Sequence, residues 1–457
     1  MSRKYEVDMT EGPILKKLIV YALPLMFSNI LQLLFNAADI IIVGKFAGSL
    51  SLAAVGSTSS LVNLLVNFFI GISIGTNVLV AKYFGSKQDS ELSHCVHTSV
   101  ALSAILGVLI GLVGIFLSTP LLKMMNTDSQ VLPLASLYLK IYFLGVPANV
   151  VYNFAAAILR AIGDTDRPLK FLSISGVVNV VLNLITVVGL HMNVAGVAIA
   201  TAVSQYVAAT LVVLCLMHAE GAYRLTLSKL RLHKGMLANI LRLGFPAGLQ
   251  STLFSVSNVI VQSSINSFGA VVMAGNSAAS NLEGFVHTAC VSLYHSSLSF
   301  ISQNVGAKRY DRLNKIIASS AILVVVLAAV LGMLVYMLKS PLLSLYVSKA
   351  DPNRDGVLAS ATLRLGYVCT FYALCGLMDV GCGTLRGLGK PWAPMIISTL
   401  GACGFRILWV TTVFRAFQSL PALYIGYPIS WVLTACAHFT AYFIERKKIF
   451  LPKKGVI

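Results

Sequence analysis

The chain has 457 residues, 57% hydrophobic and only 11% charged, where ordinary soluble domains are about a quarter charged. That balance excludes a soluble protein and leaves too little polar chain for a separate soluble domain. The formal charge of +18 invites a nucleic-acid reading, which the spread of the basic residues through loops between apolar runs argues against.

Apolar runs long enough to cross roughly 30 Å of hydrocarbon recur along the chain. Twelve are predicted: 18–42, 52–81, 92–117, 130–158, 168–189 and 194–218, then 240–267, 272–304, 316–338, 358–385, 393–414 and 421–444. Unbroken runs of this length predict helices, since barrel strands are shorter and alternate. The first run lacks a small-residue cleavage site and reads as a retained helix. It carries Ser28, Gln32, Asn36 and Asp39 at spacings that share one face, and Pro24, which predicts a kink.

Asn63 and Asn67 follow on the second run, and Ser175, Asn179 and Asn183 form a four-residue ladder on the fifth. Thr201 and Gln205 do the same on the sixth. These amides and hydroxyls can surround a small aqueous pocket holding Asp39, or simply tie helices together. A desolvated aspartate in such company holds a proton or helps coordinate a cation; Na+ near Asp39 is the one candidate metal.

Residues 219–242 read as a basic cytoplasmic connector. Within it Leu230–Arg242 is amphipathic and is expected to lie in the membrane surface, as is Pro13–Leu18. The seventh run has the ladder Ser251, Ser255, Asn258 and Gln262, but the position matching Asp39 is near Val261. The eighth holds Asn276, Glu283 and His287, with His295 two turns on. Asp379 lies in the tenth run, and Arg406 in the eleventh is expected to pair with Asp379 or Glu283. Asp39, Glu283 and Asp379 are the acids within spans, and such groups are functional candidates by default. Tyr138, Tyr142, Tyr152, Tyr294 and Tyr372 either pack or line a cavity for flat cations. The eight cysteines are scattered through apolar segments and read as buried hydrophobes.

The halves echo each other. Leu159-Arg160-Ala161-Ile162-Gly163 answers Leu385-Arg386-Gly387-Leu388-Gly389, and Phe84-Gly85-Ser86-Lys87 answers Val305-Gly306-Ala307-Lys308. Tyr21-Ala22-Leu23-Pro24 answers Leu243-Gly244-Phe245-Pro246. Two six-helix lobes are therefore expected, 1–218 and 243–457, related by an axis along the membrane normal. Loops on the side of both termini carry about 25 basic residues, counting Arg364 on the other side among about 7. This positive-inside bias places both termini in the cytoplasm of a multi-pass plasma (inner) membrane protein.

With the Gln303-Asn304-Val305-Gly306-Ala307-Lys308 loop and the run Gly196–Gln205, these features resemble the MATE family of multidrug and toxic compound extrusion transporters, nearest its DinF-like bacterial branch. The resemblance covers essentially the whole chain. It implies an all-α, V-shaped, twelve-helix membrane fold and export of cationic, amphipathic compounds by exchange for protons or sodium. The first-lobe ion site of that branch matches Asp39, Asn179, Asn183 and Thr201, with Asn36 beside it. The branch commonly has an aspartate where this chain has Asn183, so one acidic ligand is missing. The coupling burden then falls on Asp39 alone or on the second-lobe groups Glu283, Asp379, Arg406, His287, Asn258 and Gln262. Partners implied are small organic cations and membrane lipids, with the chain acting as a monomer, no nucleic acid, and no cofactor beyond the coupling ion.

A lipid-linked sugar flippase of a related superfamily is the alternative. It needs several basic residues in its cavity to hold pyrophosphate, and only Lys140 and Arg406 read as lying within spans. No phosphate-binding loop and no HExxH occurs, and Asp39 and Asp379 fall in different halves, so no enzyme is expected.

Overall fold

Helices form at all twelve positions where the apolar runs predict them. The computed structural model describes residues 6–125, 127–347 and 352–450, and among these it contains no strand. Arg3, Lys4, Lys349, Lys453 and Lys454 of the charge count lie outside the described residues.

The first six helices are Ile14–Ala47, Leu50–Gly85, Asp89–Met124, Leu132–Ala161, Asp166–Gly189 and Asn193–Met217. The seventh and eighth are Lys234–Asn266 and Ala270–Gly306. The ninth is Tyr310–Met337. The tenth is broken into Arg354–Val368 and Tyr372–Gly387, bent by 48°. Trp392–Phe417 and Leu420–Lys448 complete the set. Nine of the described helices are long and apolar enough to cross a membrane, ten with the bent pair taken as one span. The seventh and eighth are long enough as well, but serines and asparagines dilute them.

The repeat is visible in how the helices end. Lys87 and Lys308 both adopt a left-handed backbone, φ 56° and 57°. Behind them Gln88 N–H reaches Tyr83 O at 3.0 Å and Arg309 N–H reaches Asn304 O at 2.8 Å. Gly163 and Gly389 are likewise left-handed. There Asp164 N–H bonds Leu159 O at 2.9 Å and Lys390 N–H bonds Leu385 O at 3.0 Å. These are paired C-caps of the type that satisfies the last carbonyls of a helix.

Packing separates two units. One comprises residues 1–10, 23–248 and 306–308, the other 11–22, 249–305 and 309–457. Two of the boundaries fall inside the first and seventh helices, at Ala22/Leu23 and Gly248/Leu249. Each of these two lies within two residues of a repeat-related proline, Pro24 or Pro246. The first helix runs on through Pro24, whose carbonyl accepts the Ser28 hydroxyl at 2.8 Å.

In the first unit the fourth helix is central and packs on the second, third and sixth. Gly107 and Gly111 of the third helix admit Pro147 and Phe143 of the fourth to backbone contact, the small-residue packing usual in membranes. In the second unit Tyr372–Gly387 packs on the ninth and twelfth helices. The stretch Leu230–Arg242 does not form the expected surface-lying segment. From Lys234 it is the start of the seventh helix, and Met236 and Ile240 are buried in the core of the first unit; its apolar face is spent on protein rather than lipid.

Candidate functional site

The approach of the first helix to the fifth sets the first-unit site. Gly176 has no side chain because the Phe35 ring fills that space; a methyl group there would overlap the ring. One turn further along the first helix and two turns along the fifth, Asp39 meets Asn183. The Asn183 amide donates to Asp39 Oδ1 at 2.6 Å and to Asn179 Oδ1 at 3.2 Å. Thr201 on the sixth helix lies beside the same carboxylate, while its hydroxyl donates to Val197 O at 2.9 Å. Asn183 is fully buried and its Oδ1 accepts no hydrogen bond. Both helices widen just beyond these residues: Val43–Ala47 and Leu184–Gly189 have π-helical turns, and the two segments touch. Such turns recur at functional sites.

The second unit holds its charges differently. Arg364, in the first half of the broken tenth helix, grips Glu283 with both ends of its fork, Nε to Oε1 at 2.7 Å and Nη2 to Oε2 at 2.8 Å. Its Nη1 donates to Asn276 Oδ1 at 2.7 Å, and Asn276 in turn donates to Gln262 Oε1 at 3.0 Å. Deeper along the same helix Arg386 donates to the Tyr294 hydroxyl at 2.5 Å and to Gln250 Oε1 at 2.8 Å. Asp379 sits two turns before Arg386 on the same helix, and its Oδ2 is buried without a partner.

A family model, MatE, matches residues 24–185 and 246–411, the repeated core of both halves. The chain belongs to the MatE family. Among its relatives, the probable multidrug resistance protein YoeA of Bacillus subtilis is 28% identical, covering 95% of this chain and 94% of the relative. The multidrug export protein MepA of Staphylococcus saprophyticus is 23% identical, covering 98% and 97%. Of solved structures, a MATE protein in complex with MaL6 superposes with a TM-score of 0.90 at 20% identity, covering 96% of this chain and 98% of that one. A MOP superfamily transporter from Pyrococcus furiosus also gives 0.90 at 20% identity, covering 97% and 98%. The fold is therefore the all-α fold of a multi-pass membrane transporter.

Within this MatE chain, Asp39, Asn179, Asn183 and Thr201 come together as the resemblance implies. Asn36 is exposed, and among the described residues no contact joins it to them. In the second unit Glu283 and Gln262 share one network, Asn258 is exposed, and His287 stands apart with its ring edge against Tyr372 at 6.3 Å. The pairing expected for Arg406 does not form. Arg406 lies 4.4 Å from the centre of the Tyr427 ring and donates its Nε to Ser430 Oγ at 3.2 Å. Arg364 takes Glu283 in its place. Arg364, counted with the loop residues from sequence, and Arg386, one residue past the end of its predicted span, are both buried, because the tenth helix begins at Arg354 and ends at Gly387. The sequence signal was present for Arg364, which falls six residues inside its predicted span. Among the described residues no cluster of three His, Cys, Asp or Glu side chains is placed to hold a metal ion.

Proposed function

We propose that this chain is a secondary antiporter that exports cationic or amphipathic toxic compounds from the cytoplasm, coupled to proton entry at Asp39. The observation that carries the reading is the direction of the Asn183 amide. It points its N–H at Asp39 Oδ1 and at Asn179 Oδ1, as suits an ionised carboxylate. A sodium ion needs oxygens, so Asn183 would have to turn over and give up both bonds. A proton needs only the free lone pairs of Asp39. The missing acidic ligand at position 183 therefore favours H+ over Na+ as the coupling ion. The multidrug resistance and export names of the relatives support the substrate class. Protonation of Asp39 removes a charge that a cationic substrate prefers to find, so each ligand biases the opposite state.

The flippase reading gains two buried arginines over its sequence count, but Arg364 and Arg386 already serve Glu283, Asn276, Tyr294 and Gln250. That leaves one guanidinium, too few for a pyrophosphate clamp.

The test is uptake of a fluorescent organic cation by proteoliposomes under imposed gradients. A proton gradient should drive uptake, a sodium gradient should not, and Asp39→Asn should abolish the driven component while the protein remains monodisperse. Undiminished driven uptake by that variant would remove Asp39 from the coupling.

A further inference from the structure

The second unit encloses two carboxylates, Glu283 and Asp379, and three guanidinium groups, Arg364, Arg386 and Arg406. Glu283 is committed to Arg364 through both oxygens. Arg386 has Tyr294 and Gln250. Arg406 is left with no carboxylate among the described residues, although it is only 6% exposed. A buried charge without a counter-charge is strongly unfavourable. The chain offers it ring faces instead: Tyr427 at 4.4 Å and Trp431 at 6.0 Å. Tyr427 is shared, since Arg364 lies 5.5 Å from the same ring.

Arg406 also keeps most of its hydrogen-bonding capacity. Its Nε is used by Ser430, but its two terminal nitrogens donate to nothing among the described residues. They are not among the sealed, unpartnered atoms of this unit, which include Asp379 Oδ2 and Arg386 Nε. The fork is therefore fixed in orientation by Ser430, Tyr427 and Trp431 and open at its far end. A planar carboxylate fits that end through two parallel N–H···O bonds, and the Tyr427 ring, only partly buried, is the apolar surface beside it.

We propose that Arg406 is a binding site for the carboxylate of aromatic amphipathic compounds, zwitterions included. This deepens the export reading by naming a feature of its substrates, and it rests on that reading only for the transport step. Binding itself needs no gradient.

Calorimetric titration of the purified full-length protein in neutral detergent separates the two. 1-Naphthoate should bind at least tenfold more tightly than 1-naphthamide, which has the same ring and no charge. Arg406→Gln should bring that ratio close to one. Arg406→Lys, which keeps the charge but loses the fork, should lower it at least threefold, and it carries the test where the glutamine variant does not fold. The titration is made with no gradient imposed and compares two ligands on one protein, so failure of the coupling scheme and failure of this site read differently. A ratio near one in the unmodified protein would overturn the proposal, and so would a ratio that Arg406→Lys and Arg406→Gln both leave intact. Tighter binding of 1-naphthyl phosphate than of 1-naphthoate would overturn the carboxylate assignment.

Discussion

In the first unit a single carboxylate, Asp39, is surrounded by two amides and a hydroxyl. In the second, Glu283 and Asp379 share the interior with three guanidinium groups. The helix ends of the two halves are nearly superimposable in their bonding, down to left-handed lysines with φ of 56° and 57°. The polar residues within their spans differ: where the first half has Asp39 the second has Val261, buried and apolar. Backbone closure at a helix end admits few solutions, so the repeat persists there. A buried charge needs a partner on another helix, and each unit has found its own. Asp39 is left poised with one amide donor, whereas Glu283 is locked by a bidentate arginine. A group that must gain and lose a proton belongs in the first arrangement, and a structural one in the second.

Breaking the locked pair should give the largest effect. Arg364→Met strands Glu283 in the interior and should cost about 3–5 kcal/mol. The readout is thermal unfolding followed with a thiol-reactive dye, since Cys290, Cys369, Cys375, Cys382 and Cys403 of this unit are buried. The double variant Glu283→Gln/Arg364→Met should recover much of the loss. If the double variant is no more stable than Arg364→Met alone, Glu283 is not what the arginine stabilises.

A smaller effect is expected where the first unit sets its geometry. Gly176→Ala places a methyl group into the Phe35 ring, and overpacking of this kind costs about 1–3 kcal/mol. It should also push Asp39 away from Asn183 and reduce driven uptake. Phe35→Ala in the same chain should restore the unfolding temperature, because the methyl group then has room. No rescue would mean that the Phe35 contact does not determine how the first and fifth helices meet.

The spans were readable because bilayer thickness imposes a length on apolar runs, and the end caps because glycine, lysine and their neighbours recur in order. Arg364 was misassigned although it lies inside a predicted span: the break at residues 369–371 hides that one helix starts at Arg354 and contributes a second, bent half. The Arg406 pairing was misjudged for a different reason. Pattern along a helix shows which residues share a face but not which face of another helix they meet, and Arg364 reaches Glu283 across 81 residues of sequence. Asp39 and Asn183, 144 residues apart, were legible as neighbours from the polar ladders that could line one pocket and from the family resemblance.

Asn183→Asp sharpens the same contrast. It replaces the amide donor by a second carboxylate at close range, and two acids so placed cannot both ionise without a cation between them. Driven uptake should acquire a sodium dependence, severalfold between choline and sodium buffers, at little cost in stability. Transport that stays indifferent to sodium would show that position 183 does not choose the ion.

The smallest effect belongs to the connector. His233 stacks on His94 of the third helix, with ring centres 4.2 Å apart, and its backbone N–H reaches the Thr98 hydroxyl at 3.3 Å. Nearby, Thr226 N–H donates to His97 Nε2 at 3.0 Å. Partial burial lowers the pKa of His233 below its ordinary 6.5, and the neighbouring His94, Arg231 and His97 lower it further, while Glu91 acts the other way. A folded-state pKa below the unfolded one means that the unfolded segment binds the proton first as pH falls. The docked connector is therefore fully favoured above pH 6.5 and loosens as pH drops below that value. Because His233 is close to the surface, the change should be under 1 kcal/mol. Hydrogen exchange over residues 226–233, corrected for intrinsic rates, should rise between pH 7.5 and 5.5 in the unmodified protein and stay flatter in His233→Gln. Equal pH dependence in the two proteins would assign the loosening to another group on this surface, Glu91 and His97 being the ones that face it.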